Sequence, residues 1–524
     1  MDMAIKLIML VVFFGLMILI GLYCRRHAGS VDGFVLGGRS VGAWFTAFAY
    51  GTSYFSAVIL VGYSGQFGWK YGISSTWIGL GNAIIGSYLA WTILGRRTRV
   101  MTQHLQSKTM PDFFEKRYNN RNLGIGAALI VFVFLIPYAA SLYNGLSRLF
   151  AMAFSIDYSL CILIMTLLTA IYVVAGGYMA TVINDFIQGI IMIFGICAVI
   201  GAVLSGKGGF TQALASLSQV PSEGTGIAAT MQGAYASFFG PDALGLLGVV
   251  ILTSLGTMGL PQMVQKFYAI RNEKAIDSGT VISTLFALVV AGGGYFIGSL
   301  SRLFYSDLNQ LPGSGAGQKD YLVPNMLADA GLPTVLVGLV LVLLIAASVS
   351  TLASITITAS STLTMDFIRP KLRPKMDEMK GAVVTKAICF VFILLSYLIA
   401  NTNTPILDMM SYSWGVISGS FLAPYLLALY WKGLNRGGGW AGMVGGFITA
   451  LPPVVCKLLF PEAALPGLGK LVDLGPHFAC AAMLVSLLLC WAGSLLARRS
   501  GWRCGEANPA FYRREKPAED ANIL

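Results

Sequence analysis

The sequence predicts an all-α membrane protein of about thirteen transmembrane helices, and three observations lead there. Hydrophobic residues make up 56% of the 524 residues and charged residues only 11%, against roughly 25% charged in soluble domains. Lipid can cover that apolar surface; a soluble core of this length cannot. The apolar residues fall into runs of about 20, the length that crosses a bilayer. The charges between those runs are asymmetric, as the positive-inside rule requires.

The runs lie at about 4–24, 41–68, 75–96, 122–152, 158–178, 181–205, 235–266, 278–302, 334–362, 383–400, 405–431, 438–459 and 477–497. The first has no basic residues before it and Arg25, Arg26 and His27 after it. A signal peptide has the reverse order, so this run is expected to stay as a helix with its N-terminus outside. Basic residues gather at Arg25–Arg26, Arg96–Arg99 with Lys116–Arg117, Lys266–Lys274, Arg369–Lys375, Lys432–Arg436 and the tail after Arg498. These segments are expected to be cytoplasmic. The opposite segments (206–234, 303–333, 401–404 and 460–476) hold only Lys207, Lys319 and Lys470. The plasma membrane, as a bacterial inner membrane, is the expected location.

Composition also excludes function classes. The net charge of +12 would suggest nucleic acid in a soluble protein, but here the basic residues sit between apolar runs, and no nucleic-acid partner is expected. Eight cysteines and three histidines show no metal-type or paired spacing; Cys161, Cys197, Cys389 and Cys490 lie inside apolar runs as small core residues. No nucleophile–base pair at depth suggests an enzyme. No phosphate loop is evident, which leaves ion gradients as the energy source. A channel would need a ring of groups along a pore. No obligatory protein partner is evident.

Four segments depart from plain lipid-soluble helix. In FAYGTSYFS (48–56), Gly51 and Thr52–Ser53 weaken the helix at mid-depth, and freed carbonyls there could meet a cation. A continuous helix with hydroxyls bonded to its own carbonyls is the equal alternative. AASVSTLASITITASST (346–362) carries nine hydroxyls in seventeen residues, with Ala347, Ser350, Thr351 and Ser354 on one face. Neutral oxygens suit sodium; close helix packing is the commoner use of such residues. Asp185 is a carboxylate at depth, costing about 2.5–3.5 kcal/mol on insertion scales. It therefore suggests an ion ligand, relay or gate, unless it lies near the inner surface. Finally, Gly256, Gly259 and Pro261 interrupt the seventh run, five runs after the weakened second. Paired interruptions point to a transporter site, a proline kink near a helix end being the plainer reading.

Together these segments resemble the sodium:solute symporter family. DGFVLGGRSVG (32–42) is similar to its N-terminal signature and GGYMATVINDFIQG (176–189) to its central motif. GLVLVLLIAASVST (338–351) and SYSWGVISGSFLAPYLLALYWKGLNRGGGWAGMVGG (411–446) resemble two further stretches, in the same order. The resemblance implies a five-plus-five inverted repeat. One helix and a cytoplasmic loop (1–40) precede the first repeat (41–205); an outer loop (206–234), the second repeat (235–431), two C-terminal helices (432–497) and a cytoplasmic tail (498–524) follow. It implies sodium-coupled symport of a small organic solute by alternating access. Sodium would be held by the carbonyls of Thr52, Phe55 and Ala347 and the hydroxyls of Ser350 and Thr351. A second sodium site present in some members would map to Asp185, Ser350 and Ser354, with Ala353 where those members supply a hydroxyl. The implied solute pocket is Tyr54, Ser56, Tyr138, Thr253 and Thr257. Tyr138 matches an aromatic residue of the proline-carrying branch. Tyr54, Thr253 and Thr257 depart from that branch, which has Asp, Trp and Tyr there. An amino acid such as proline is the leading expectation, with a short carboxylate or a sugar as alternatives. A transport-like sensor is a further alternative, though the short tail carries no kinase.

Overall fold

A computed structural model describes residues 2–25, 29–56, 58–154, 158–222, 232–311, 315–401, 406–459 and 474–499. His27, Lys470, most of the 460–476 loop and the tail beyond Arg499 lie outside the described residues. Every regular element among them is helical, the one β-type contact being a bridge between Val41 and Ile270. Long apolar helices such as Asp2–Cys24, Glu273–Ser299, Thr334–Thr362 and Glu378–Ala400 build the bundle. Their outward faces keep Leu7, Val11, Leu19, Val383 and Phe390 exposed, as a lipid-facing surface requires. This is a multi-pass membrane architecture.

Ten described helices are long and apolar enough to cross a membrane, or eleven if one bent pair counts as a span. This count among the described residues is lower than the expected thirteen, and two stretches account for most of the difference. The run at 41–68 is divided by a break after a helix of only 12 residues, Ala43–Tyr54, and its second half continues with few interruptions to His104. The run at 158–178 is helical from Tyr158, and Gly177 separates it from the helical residues that follow. The turn expected at 178–181 is instead one residue, Gly177, inside a helical stretch Tyr158–Gly206. Its φ of 59° and ψ of −161° lie in a region open essentially to glycine alone.

The basic segments converge. Arg39 donates to the Ser107 carbonyl at 2.5 Å, Arg99 to Arg271 at 2.5 Å, Arg117 to Ala428 at 3.1 Å and Arg436 to Asn119 at 2.7 Å. Lys108 pairs with Glu378 at 3.0 Å, and Arg498 donates to Gly433 at 2.9 Å. Segments far apart in sequence thus form one charged layer. At the other end, Gln66 reaches Asp320 at 2.9 Å, Arg302 the Trp69 carbonyl at 2.9 Å and Lys207 the Leu303 carbonyl at 3.0 Å. An introduced thiol at Asp307 should be labelled on whole cells by an impermeant maleimide, and one at Arg373 only after permeabilisation. The opposite pattern would invert the predicted orientation.

Glycines set the closest helix approach. A Cβ on Gly298 would sit 2.0 Å from the Ser64 carbonyl oxygen, whereas one on Gly292, less than two turns earlier, meets nothing within 4 Å. Gly298→Ala should therefore lower the thermal midpoint of the purified protein, with a cost of about 1–3 kcal/mol for overpacking. Gly292→Ala should leave it within error. Equal midpoints for the two variants would mean that this contact relaxes freely.

Candidate functional site

The site forms where the helix Ala43–Tyr54 stops. Phe55 turns extended, at φ −88° and ψ 105°, and the Ile59 and Leu60 amides both donate to the Ser56 carbonyl. The Phe55 carbonyl thus loses the amide that an unbroken helix would give it. The break comes later than Gly51–Ser53, where the sequence placed it. Gly51 lies within intact helix and serves close packing, since a Cβ there would fall 2.3 Å from the Phe286 ring. The paired interruption is also present: Ala243–Gly259 and Pro261–Ala269 meet at 46°, with Leu260 extended between them.

The hydroxyl-rich helix Thr334–Thr362 crosses this break, and its nine Ser and Thr residues between 346 and 362 are all buried. Ser350 Oγ lies 3.0 Å from Thr52 Oγ1 and 2.5 Å from Asp185 Oδ1. Thr351 Oγ1 lies 3.1 Å from the Thr52 carbonyl and 3.0 Å from the Ala347 carbonyl. Thr52 Oγ1 lies 2.9 Å from the Phe48 carbonyl. The structure therefore gathers Thr52, Ala347, Ser350, Thr351 and Asp185 at one point. Farther along the same helix Thr358 turns instead to Gln265, at 2.6 Å, so the hydroxyl run does not all face the break.

Counting protons shows what this cluster suits. The three hydroxyls of Thr52, Ser350 and Thr351 offer three protons, one each. They take part in five oxygen–oxygen contacts of 2.5–3.1 Å. At least two of those contacts therefore share a proton with another contact or have none, and protonating Asp185 would supply only one more. All of these side chains are buried. Electron-rich oxygens without protons to share, held away from water, fit a hard cation with oxygen ligands.

Asp185 is fully buried and shielded from solvent. Its charge partner is Lys266, with Nζ 3.9 Å from Oδ2. Lys266 is also buried, in the short helix after the Pro261 break. Lys266 Nζ donates to Ser354 Oγ at 2.9 Å, and Ser354 Oγ lies 2.9 Å from Ser53 Oγ. The implied second sodium group, Asp185, Ser350 and Ser354, is brought together, but around an ammonium.

The pocket residues assemble less completely. Tyr54 and Tyr138 both pack on Trp414, with ring centroids at 5.6 and 5.8 Å. The Tyr54, Ser56 and Tyr138 hydroxyls and the Trp414 indole nitrogen are buried without a well-aligned hydrogen bond, Tyr138 and Trp414 facing each other and Tyr54 facing Thr253. Thr257 lines a cavity with Tyr54, Phe55, Asn82 and Phe286. Its hydroxyl donates to the Ser254 carbonyl at 2.7 Å, and that of Thr253 to Val249 at 2.9 Å, so both are committed to their own helix. Sequence reasoning missed Lys266, Trp414 and Ser53 as parts of the site. Lys266 was detectable in principle: it follows the broken segment directly, inside the apolar stretch PQMVQKFYA. Trp414 had no such signal.

Known proteins share the sequence pattern and fold of this chain. The chain is 29% identical over 507 residues to a sodium/proline symporter of Staphylococcus aureus, covering 94% of this chain and 93% of that protein. Among solved structures, a substrate-bound, outward-open Na+-coupled sialic acid symporter superposes with a TM-score of 0.74 at 17% identity, covering 94% of this chain and 97% of that one. A nucleobase-cation-symport-1 family transporter superposes with a TM-score of 0.53 at 12% identity, covering 92% and 97%. These two likenesses concern the fold. The profile of the sodium:solute symporter family matches residues 34–446, and this chain belongs to that family of secondary transporters, which use sodium as the co-transported ion.

Proposed function

We propose that this protein takes up a small amino acid with sodium across a bacterial inner membrane. Sodium is held by the carbonyls of Thr52, Phe55 and Ala347 and the hydroxyls of Ser350 and Thr351. The observation that carries this reading is the proton deficit of the oxygen cluster. The solute lies at the same break, against Tyr54, Ser56, Tyr138 and Trp414, where four buried polar atoms lack a well-aligned hydrogen bond. Buried polar atoms in native proteins are nearly always paired, so these suit a ligand with its own polar groups. Aromatic walls suit a small apolar body, and the adjacent sodium charge favours a carboxylate. A proline-like amino acid combines these properties, and the curated relative transports proline with sodium by its name.

The two interruptions, after Tyr54 and at Leu260, support a mechanism of two five-helix repeats (41–205 and 235–431) rocking around the site. Sodium binding to the cluster would hold the Ala43–Tyr54 helix against Thr334–Thr362. Solute and ion would thus stabilise the same arrangement of helices, which is the basis of coupling.

Proteoliposomes with an inward sodium gradient should accumulate proline or another small amino acid, and potassium should not replace sodium. Trp414→Ala should reduce that uptake at least tenfold while sodium binding persists, because Trp414 touches the pocket and not the ion cluster. Uptake of sugars or of simple carboxylates alone would overturn the amino-acid assignment.

A further inference from the structure

Lys266 is a fully buried cation whose surroundings are those of an ion site. Its ammonium donates to Ser354 Oγ at 2.9 Å and lies 3.9 Å from Asp185 Oδ2. It also sits 5.2 Å from the centre of the Tyr178 ring. Asp185 Oδ2 has no hydrogen-bond partner, whereas Oδ1 accepts from Ser350 at 2.5 Å. One carboxylate oxygen thus faces the sodium cluster and the other faces the ammonium. Ser354, Asp185 and Ser350 are the groups on which a second cation would rest, and position 353, one residue before Ser354, is alanine. The charged groups at this point are Asp185 and Lys266, and Tyr178 is the other titratable side chain facing the ammonium.

We propose that Lys266 is a tethered cation occupying the second ion position, so that the protein binds and carries one sodium ion per cycle. The inference rests on the sodium site described above. A single carboxylate can balance one full charge in a buried site, and like charges a few ångströms apart repel strongly where water is excluded. With the ammonium already paired to Asp185, a second sodium would bring an excess positive charge into that site. The cluster of Thr52, Phe55, Ala347, Ser350 and Thr351 avoids this conflict. It is built from neutral oxygens, and Asp185 stands between it and the ammonium. Because Lys266 belongs to the segment that follows the 46° break, its charge also links that half-helix to Asp185.

The test is a count of bound sodium. Equilibrium binding of radioactive 22Na+ to the purified full chain in nanodiscs should saturate at one ion per protein, with a hyperbolic isotherm. Lys266→Arg, which keeps the charge, should also bind one. Lys266→Ala combined with Ala353→Ser, which removes the ammonium and supplies another hydroxyl, should bind two. Lys266→Gln, which removes the charge and keeps most of the volume, is the second variant and should also bind two. Two ions in the unaltered protein would overturn the proposal, as would one ion in both uncharged variants. Failure of the unaltered protein to bind any sodium would overturn the sodium site itself, and this inference with it.

Discussion

Replacing Ser350 and Thr351 together by alanine should raise the sodium concentration for half-maximal uptake at least tenfold. Two of about five oxygen ligands disappear, and affinity for a hard cation falls with ligand number; tenfold corresponds to roughly 1.4 kcal/mol. The geometry sharpens the expectation. Ser350 Oγ joins Thr52 Oγ1 to Asp185, and Thr351 Oγ1 joins two carbonyls, so the double variant removes the centre of the cluster. Thr351→Ser keeps the oxygen and should be mild. A packing role would give the opposite pattern: loss of the threonine methyl would be costly, and sodium dependence would survive in the double variant. An unaltered sodium response in the double variant would place the ion elsewhere.

Asp185→Asn should weaken sodium dependence of uptake and lower steady-state accumulation. Two consequences follow from one substitution. The charged acceptor of the Ser350 proton becomes a weaker, neutral amide oxygen, so the negative charge beside the cation is lost. Lys266 is left as a buried charge without its counter-ion, a loss of about 3–5 kcal/mol when one partner of a buried pair is removed. Asp185→Asn with Lys266→Gln separates the two: it should recover the folded yield but not the sodium affinity. Sodium dependence that is unchanged in the single variant would make Asp185 a structural residue.

The membrane class, the approximate spans and the gathering of basic charge at one end were legible because each depends on local composition and on the lipid as solvent. Asp185, Ser350 and Thr351 were also legible, as polar groups whose burial in an apolar run is costly unless they have partners. Other features were misplaced for identifiable reasons. The break falls after Tyr54 because Gly51 is needed against the Phe286 ring, a contact between residues 235 positions apart. The boundary expected between the runs at 158–178 and 181–205 falls at a single glycine, Gly177, whose backbone conformation hydropathy does not specify.

Sequence alone determined that this chain is a helical membrane protein and that one of its helices is dense in Ser and Thr; it pointed to interruptions in two spans without fixing them. Tertiary structure decided which oxygens meet, and that they have fewer protons than contacts. It also decided that Lys266 lies inside, against Asp185 and Ser354, although its sequence neighbourhood suggested the cytoplasmic surface. Periodicity can report which face of one helix is polar. The partner of a buried charge comes from another helix 81 residues away, and only the packing of the two sets their distance.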